Sequence, residues 1–99
     1  MIEFEITSAG MRSMGKLPQS AHAAAVAFIL GPLLENPWQV SKPLREPYED
    51  QRVARVGEYR LFFTLVEQPT FDLMGGGQSN PSWLVTITAA RHRRDAYRT

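Results

Sequence analysis

The chain contains no cysteine. That excludes a disulfide framework and any thiolate metal site, and it fits a reducing compartment. Histidine is confined to His22 and His92, far apart in sequence, and no carboxylates cluster. A bound catalytic metal, a Ser-His-Asp triad and a paired-carboxylate glycosidase site are therefore not indicated. No long hydrophobic run is present. The least polar stretch, residues 21–34, is interrupted by His22, Gly31 and Pro32 and is too short to span a bilayer. The opening "MIEFEITSAG" carries Glu3 and Glu5 and no apolar core of the signal-peptide kind. These absences lead us to expect a cytoplasmic protein with no membrane partner, no metal and no cofactor. Lysine is missing from the whole of residues 51–99, where every basic side chain except His92 is arginine.

What is present suits one small globular domain over residues 1–99: 43% hydrophobic and 21% charged residues in 99 positions. The net charge is only +1, but it is unevenly spread. Residues 1–50 hold four basic and six acidic side chains, and residues 51–99 hold seven arginines against four acids. Arginine is the better planar, two-pronged ligand for phosphate, so the second half points to an anionic partner.

Ile2, Phe4 and Ile6 alternate with Glu3, Glu5 and Thr7, which predicts a half-buried strand. Thr7 or Ser8 can cap a helix whose inner side carries Met11, Met14 and Leu17, and Pro18 ends it. A second helix is expected from an N-cap at Ser20, with Val26, Ile29, Leu30 and Leu33 as its apolar stripe. Gly31-Pro32 should kink it and Asn36-Pro37 should stop it. The stretch "WQVSKPLREPYED" reads as a surface connection. Three strands follow, near 51–56, 59–67 and 83–90. The second and third are linked by a long segment containing Gly75-Gly76-Gly77 and Ser79-Asn80-Pro81, where a phosphate loop is not supported because a strand follows. The expected fold is α+β, in the order β-α-α-β-β-β: an antiparallel sheet with an N-terminal helical hairpin packed on one face and a short basic C-terminal tail or helix.

The stretch "RVGEYRLFF" contains the first candidate site. A two-residue turn at Gly57-Glu58 pairs Val56 with Tyr59 and Arg55 with Arg60. Like charges directly opposed across a ladder are destabilising. Tyr59, Leu61, Phe63 and Leu65 should face the helices, leaving Arg55, Arg60, Phe62 and Thr64 on the other face. Two guanidiniums and a ring on an open sheet can hold a phosphate and stack a base. The alternative is that each arginine pairs with a carboxylate such as Glu58 or Asp95. The tail "HRRDAYR" is the second candidate, with His92 able to move a proton near neutral pH and Tyr97 able to stack.

These two motifs resemble the Arg-Val-Gly-Asp/Glu-Tyr-Arg hairpin and the His-Arg-x-Asp-x-Tyr-Arg tail of RelE/ParE-superfamily toxins. Upstream, "LPQSAHAAAVAFILGPLLENPWQVSKPL" is similar to their Leu-Pro linker, second helix, Asn-Pro stop and Lys-x-Leu segment. The resemblance covers nearly the whole chain. It implies the toxin of a bacterial toxin–antitoxin pair, with a cognate antitoxin, the ribosome and mRNA as partners. RelE-like members cleave mRNA in the ribosomal A site without a metal. The 2′-hydroxyl attacks the adjacent phosphate and a 2′,3′-cyclic phosphate results. By resemblance Arg60 is the transition-state arginine, Arg55 a neighbouring basic position and Tyr97 the tail tyrosine. The acid comes from the tail, among Arg91, His92 and Arg93. Lys42, Arg52, Arg91, Arg93, Arg98 and Phe62 are the further expected RNA contacts. Some members place lysines in the strand before the hairpin, one as base. Residues 51–56 here have only Arg52 and Arg55, and arginine stays protonated. The base is then His92, a perturbed group, or none. The rival readings are a ParE-like gyrase inhibitor and a non-catalytic member that acts as an interaction protein.

Overall fold

A computed structural model describes residues 1–45, 50–68 and 82–96. Residues 75–77 and 79–81, Pro47, Glu49, Tyr97 and Arg98, all singled out in the sequence, lie outside the described residues. The elements are β1 (Ile2–Ile6), α1 (Ser8–Gly15), α2 (Gln19–Phe28), a π-helical turn (Ile29–Leu33), β2 (Ser41–Pro43), β3 (Gln51–Val56), β4 (Tyr59–Gln68) and β5 (Ser82–His92). The strands form one sheet in the order β1-β5-β4-β3-β2. The expected α+β layout stands, with two additions. β1 pairs with β5 in parallel, so the sheet is mixed. Within the presumed connection, Ser41, Lys42 and Pro43 pair antiparallel with Ala54, Val53 and Arg52 as a short edge strand.

The hairpin registers as its turn chemistry dictates. Val56 pairs with Tyr59, Arg55 with Arg60, Ala54 with Leu61 and Val53 with Phe62. Gly57 has φ +60°, and no non-glycine residue among those described has a positive φ, which is the type II′ pattern.

The helices cover one face of the sheet. Met14, Ala25, Ile29 and Leu33 meet Ala54, Leu61, Phe63, Val85, Ile87 and Ala90 in a single buried cluster. Thr7 caps α1 by accepting from the Gly10 amide at 2.9 Å, and its own amide donates to the Ile87 carbonyl at 3.0 Å. Gly10 lies against that same carbonyl, since a β-carbon there would sit 2.6 Å from Ile87 O. This close seat turns Gly10 and Met14 toward the sheet. Met11, expected inside, is 60% exposed as a result.

Two further expectations are corrected in α2. It starts at Gln19 behind Pro18, with no side-chain cap, so Ser20 lies inside the helix. Leu30 is 61% exposed. Its neighbours explain this. Pro32 has no amide hydrogen to give, and the chain widens into a π-helical turn. The wider turn keeps Ala25, Ile29 and Leu33 in line as the buried seam and leaves Leu30 outside it. His22 ties the two helices together, its Nδ1 donating to the Met14 carbonyl at 3.0 Å. Among the described residues, no helix is long and apolar enough to cross a membrane.

Candidate nucleic-acid interface

The face of the sheet away from the helices carries a row of arginines. Arg55 of β3 pairs with Arg60 of β4, and Arg60 pairs with Arg91 of β5. Opposed residues share a face, and strands lie about 4.8 Å apart, so three guanidiniums stem from backbone positions spanning about 10 Å. The next row on the same face runs Lys42, Val53, Phe62 and Ala89.

A bulge in β5 makes the row possible. The β4–β5 register shifts between Phe62, paired with Ala89, and Phe63, paired with Ile87, which leaves Thr88 as the extra residue. Its hydroxyl donates to the Phe62 carbonyl at 3.3 Å. Strict alternation from the buried Ile87 would turn Arg91 toward the helices and His92 outward. The bulge exchanges them. Ala90 is buried, Arg91 joins Arg60, and His92 lies opposite Tyr59, their rings edge-to-face at 5.3 Å.

His92 therefore lies on the helix side, where Lys16, Leu17, Tyr59 and Arg94 line a groove of about 480 Å³. Its Nδ1 accepts the Arg94 amide at 3.1 Å, which leaves Nε2 as the ring nitrogen that can donate. Arg93 ion-pairs with Glu58 at 2.7 Å, both side chains well exposed, a pairing of little net value. Its amide also donates to the Glu58 carbonyl, which fastens the segment after β5 to the hairpin turn. Arg52 is held at the sheet edge, donating from Nε to Ser41 Oγ at 2.7 Å and from Nη2 to the Trp38 and Ser41 carbonyls. The structure thus brings together Lys42, Arg55, Arg60, Phe62 and Arg91, and sets Arg52, His92 and Arg93 apart from them.

Among the described residues, the row has no counter-charge. No carboxylate of the described residues pairs with Arg55, Arg60 or Arg91. Glu58, one partner considered for them, is taken by Arg93. Arg60 instead turns its Nη1 back on the Gly57 and Tyr59 carbonyls, at 3.3 and 3.0 Å. Such a row is under mutual repulsion until an anion enters. Replacing Arg55 with glutamine should therefore raise stability by about 0.2–1 kcal/mol, a few degrees in a thermal melt. Inorganic phosphate should raise the melting temperature of the wild type more than that of the variant. A loss of stability in the variant would contradict this reading. Among the described residues, no group of three His, Cys, Asp or Glu side chains is placed to hold a metal ion.

A groove adjoins the row where β2 ends. Phe28, Gln39 and Val40 line it, and none of the three was a candidate site residue from the sequence. Phe28 lies on a helix and Gln39 in a connection, and only the folded chain brings them to Arg55.

No family model matches the chain. Toxin RelE of Mycobacterium tuberculosis (strain ATCC 25618 / H37Rv) is 42% identical over 60 residues, 61% of this chain. That match spans 62% of Toxin RelE's own length. Toxin RelG of the same strain is 34% identical over 92 residues, 93% of this chain and 91% of that protein. A chain in the crystal structure of the toxin–antitoxin complex RelBE2 from Mycobacterium tuberculosis superposes with a TM-score of 0.69 at 31% identity. The likeness covers 92% of this chain and 96% of that one.

Proposed function

The chain belongs to the RelE family of toxins, and from that membership we propose that it cleaves mRNA in the ribosomal A site. We propose further that a cognate antitoxin, a segment of which folds on binding, holds it inactive. The observation that carries this reading is the row Arg55–Arg60–Arg91, which no carboxylate of the described residues pairs, beside Lys42 and Phe62 on the open face. Transesterification by a 2′-hydroxyl crowds negative charge onto one phosphate, and stabilising that charge is the chief task of the site.

In this reading Arg60, at the middle of the row, holds the non-bridging oxygens in the transition state. Arg55 shares that charge. Of the three tail candidates for the leaving group, Arg91 is the one in the row. A 5′-alkoxide is a stronger base than guanidine, so Arg91 can both donate a hydrogen bond and give up a proton as the P–O5′ bond breaks. The P–O2′ bond forms at the same phosphorus. The described part of the open face offers no side-chain base, so the 2′-proton leaves to a phosphate oxygen or to water. The guanidiniums supply the positive charge, and no metal is called for. Tyr97 keeps its role as a base-stacking group by resemblance. A gyrase inhibitor has less support, because the relatives carry the names RelE and RelG.

Induction in a bacterial host tests the reading. Mapped mRNA 5′ ends should be phased within codons, and they should disappear when translation initiation is blocked. Growth arrest with intact mRNA and damaged DNA would overturn it.

A further inference from the structure

The arginine row leads into the groove at the β3 edge. β2 covers β3 only from Arg52 to Ala54, so at Arg55 no strand follows on that side. There Phe28, Gln39, Val40 and Val53 enclose about 620 Å³ that opens onto Arg55 and Arg60. The volume suits a nucleobase with its ribose. Phe28, Val40 and Val53 supply apolar walls for a flat ring.

Among the described residues, the side-chain polar groups left free in the groove are donors. Asn36 Oδ1 accepts the Gln39 amide at 3.1 Å, so Asn36 Nδ2 must be the atom facing the Gln39 side chain. Gln39 answers with Oε1 at 3.3 Å, which leaves both hydrogens of its Nε2 available. Ser41 Oγ is already engaged by Arg52 Nε and by the Pro37 carbonyl. The side chains of Lys42, Arg55 and Arg60 only donate, and no carboxylate of the described residues lines the groove. A base entering it meets side-chain N–H groups and gains by offering acceptors.

We propose that this groove seats the base flanking the scissile phosphate and selects keto bases, guanine and uracil, over the amino bases adenine and cytosine. The carbonyl at C6 of guanine or C4 of uracil accepts from Gln39 Nε2 or Lys42. The amino group that adenine carries at C6 and cytosine at C4 would set donor against donor there and leave both without a partner. The inference rests on the RNA-cleavage reading, and its test separates the two.

Ribosomes programmed with mRNAs that differ only in the bases flanking the cut are treated with wild type, Gln39→Leu and Gln39→Glu. Wild type should cut keto-flanked sites about tenfold faster or more than amino-flanked ones. Gln39→Leu should narrow that ratio, and Gln39→Glu, which replaces the donors with acceptors, should narrow it further or reverse it. In parallel, the amide resonances of Phe28 and Gln39 are followed by NMR as each 5′-mononucleotide is added, with GMP and UMP expected to shift them at lower concentration than AMP and CMP. Equal cutting at all four bases, or a ratio unchanged in both variants, overturns the selectivity. If wild type cuts no RNA while the nucleotide series keeps its order, the cleavage reading falls and the groove's base preference stands. If cutting is phased but the nucleotides do not differ, the groove assignment falls alone.

Discussion

Replacing Arg60 with alanine is expected to lower RNA cleavage about 10²–10³-fold and to abolish growth arrest on induction, with the fold intact. The magnitude is that of removing one preorganised donor from a developing oxyanion. Arg60 has a row neighbour on each side, Arg55 and Arg91, so its guanidinium is central to any phosphate held there. Lysine in its place should restore little, because an ammonium keeps the charge but loses the planar fork. Stability should hold or rise. The hydrogen bonds that Arg60 makes go to the Gly57 and Tyr59 carbonyls at a solvent-accessible turn, and its removal relieves the repulsion along the row. Arg93→Ala removes the same charge one turn away from the row and should leave cleavage within a few-fold of wild type. Primer extension on a ribosome-bound message measures both variants. Full toxicity of Arg60→Ala with a native melting curve would overturn the site.

Gly10→Ala should cost about 1–3 kcal/mol, a fall of roughly 5–20 °C in melting temperature for a domain of this size. Alanine is the better helix former, so propensity alone predicts the opposite sign. Packing decides the outcome. The added β-carbon would meet the Ile87 carbonyl at 2.6 Å, and that oxygen belongs to backbone already bonded to the Thr7 amide. α1 must then lift off β5, which strains the Thr7 cap as well. Gly31→Ala is the control. Nothing lies within 4 Å of a β-carbon built there, so that change should stay within about 1 kcal/mol of wild type. Urea unfolding of the two variants reads the difference directly. Equal stability would mean that the close seat of α1 is not what holds it.

The legible part of this fold was its local chemistry. Gly57 set the hairpin register to the residue, and with it the facing pair Arg55 and Arg60. Alternation and the helical stripe identified Phe63, Leu61, Ile29 and Leu33 as core. What sequence did not disclose depends on meetings between distant segments. The parallel union of β1 with β5 has no local signal. The burial of Gly10 and the exposure of Met11 follow from a carbonyl on a strand far along the chain. The bulge at Thr88 carries no glycine or proline to announce it, yet it decides that Arg91 joins the row and that His92 does not. A proton donor drawn from the tail by chemistry alone favoured His92. The proposed mechanism takes Arg91 instead, because Arg91 shares the face of Arg60 and His92 does not.

The place of β5 in the sheet also bears on when the protein can act. β1 is synthesised first, and its neighbour in the sheet is the strand beginning at Ser82. A nascent chain stopped before that point has no partner for β1, no seat for α1 and no third arginine. The ribosome that translates this message therefore carries an unfinished sheet through most of elongation. Only when His92 has emerged can β5 form in full and the sheet close on β1.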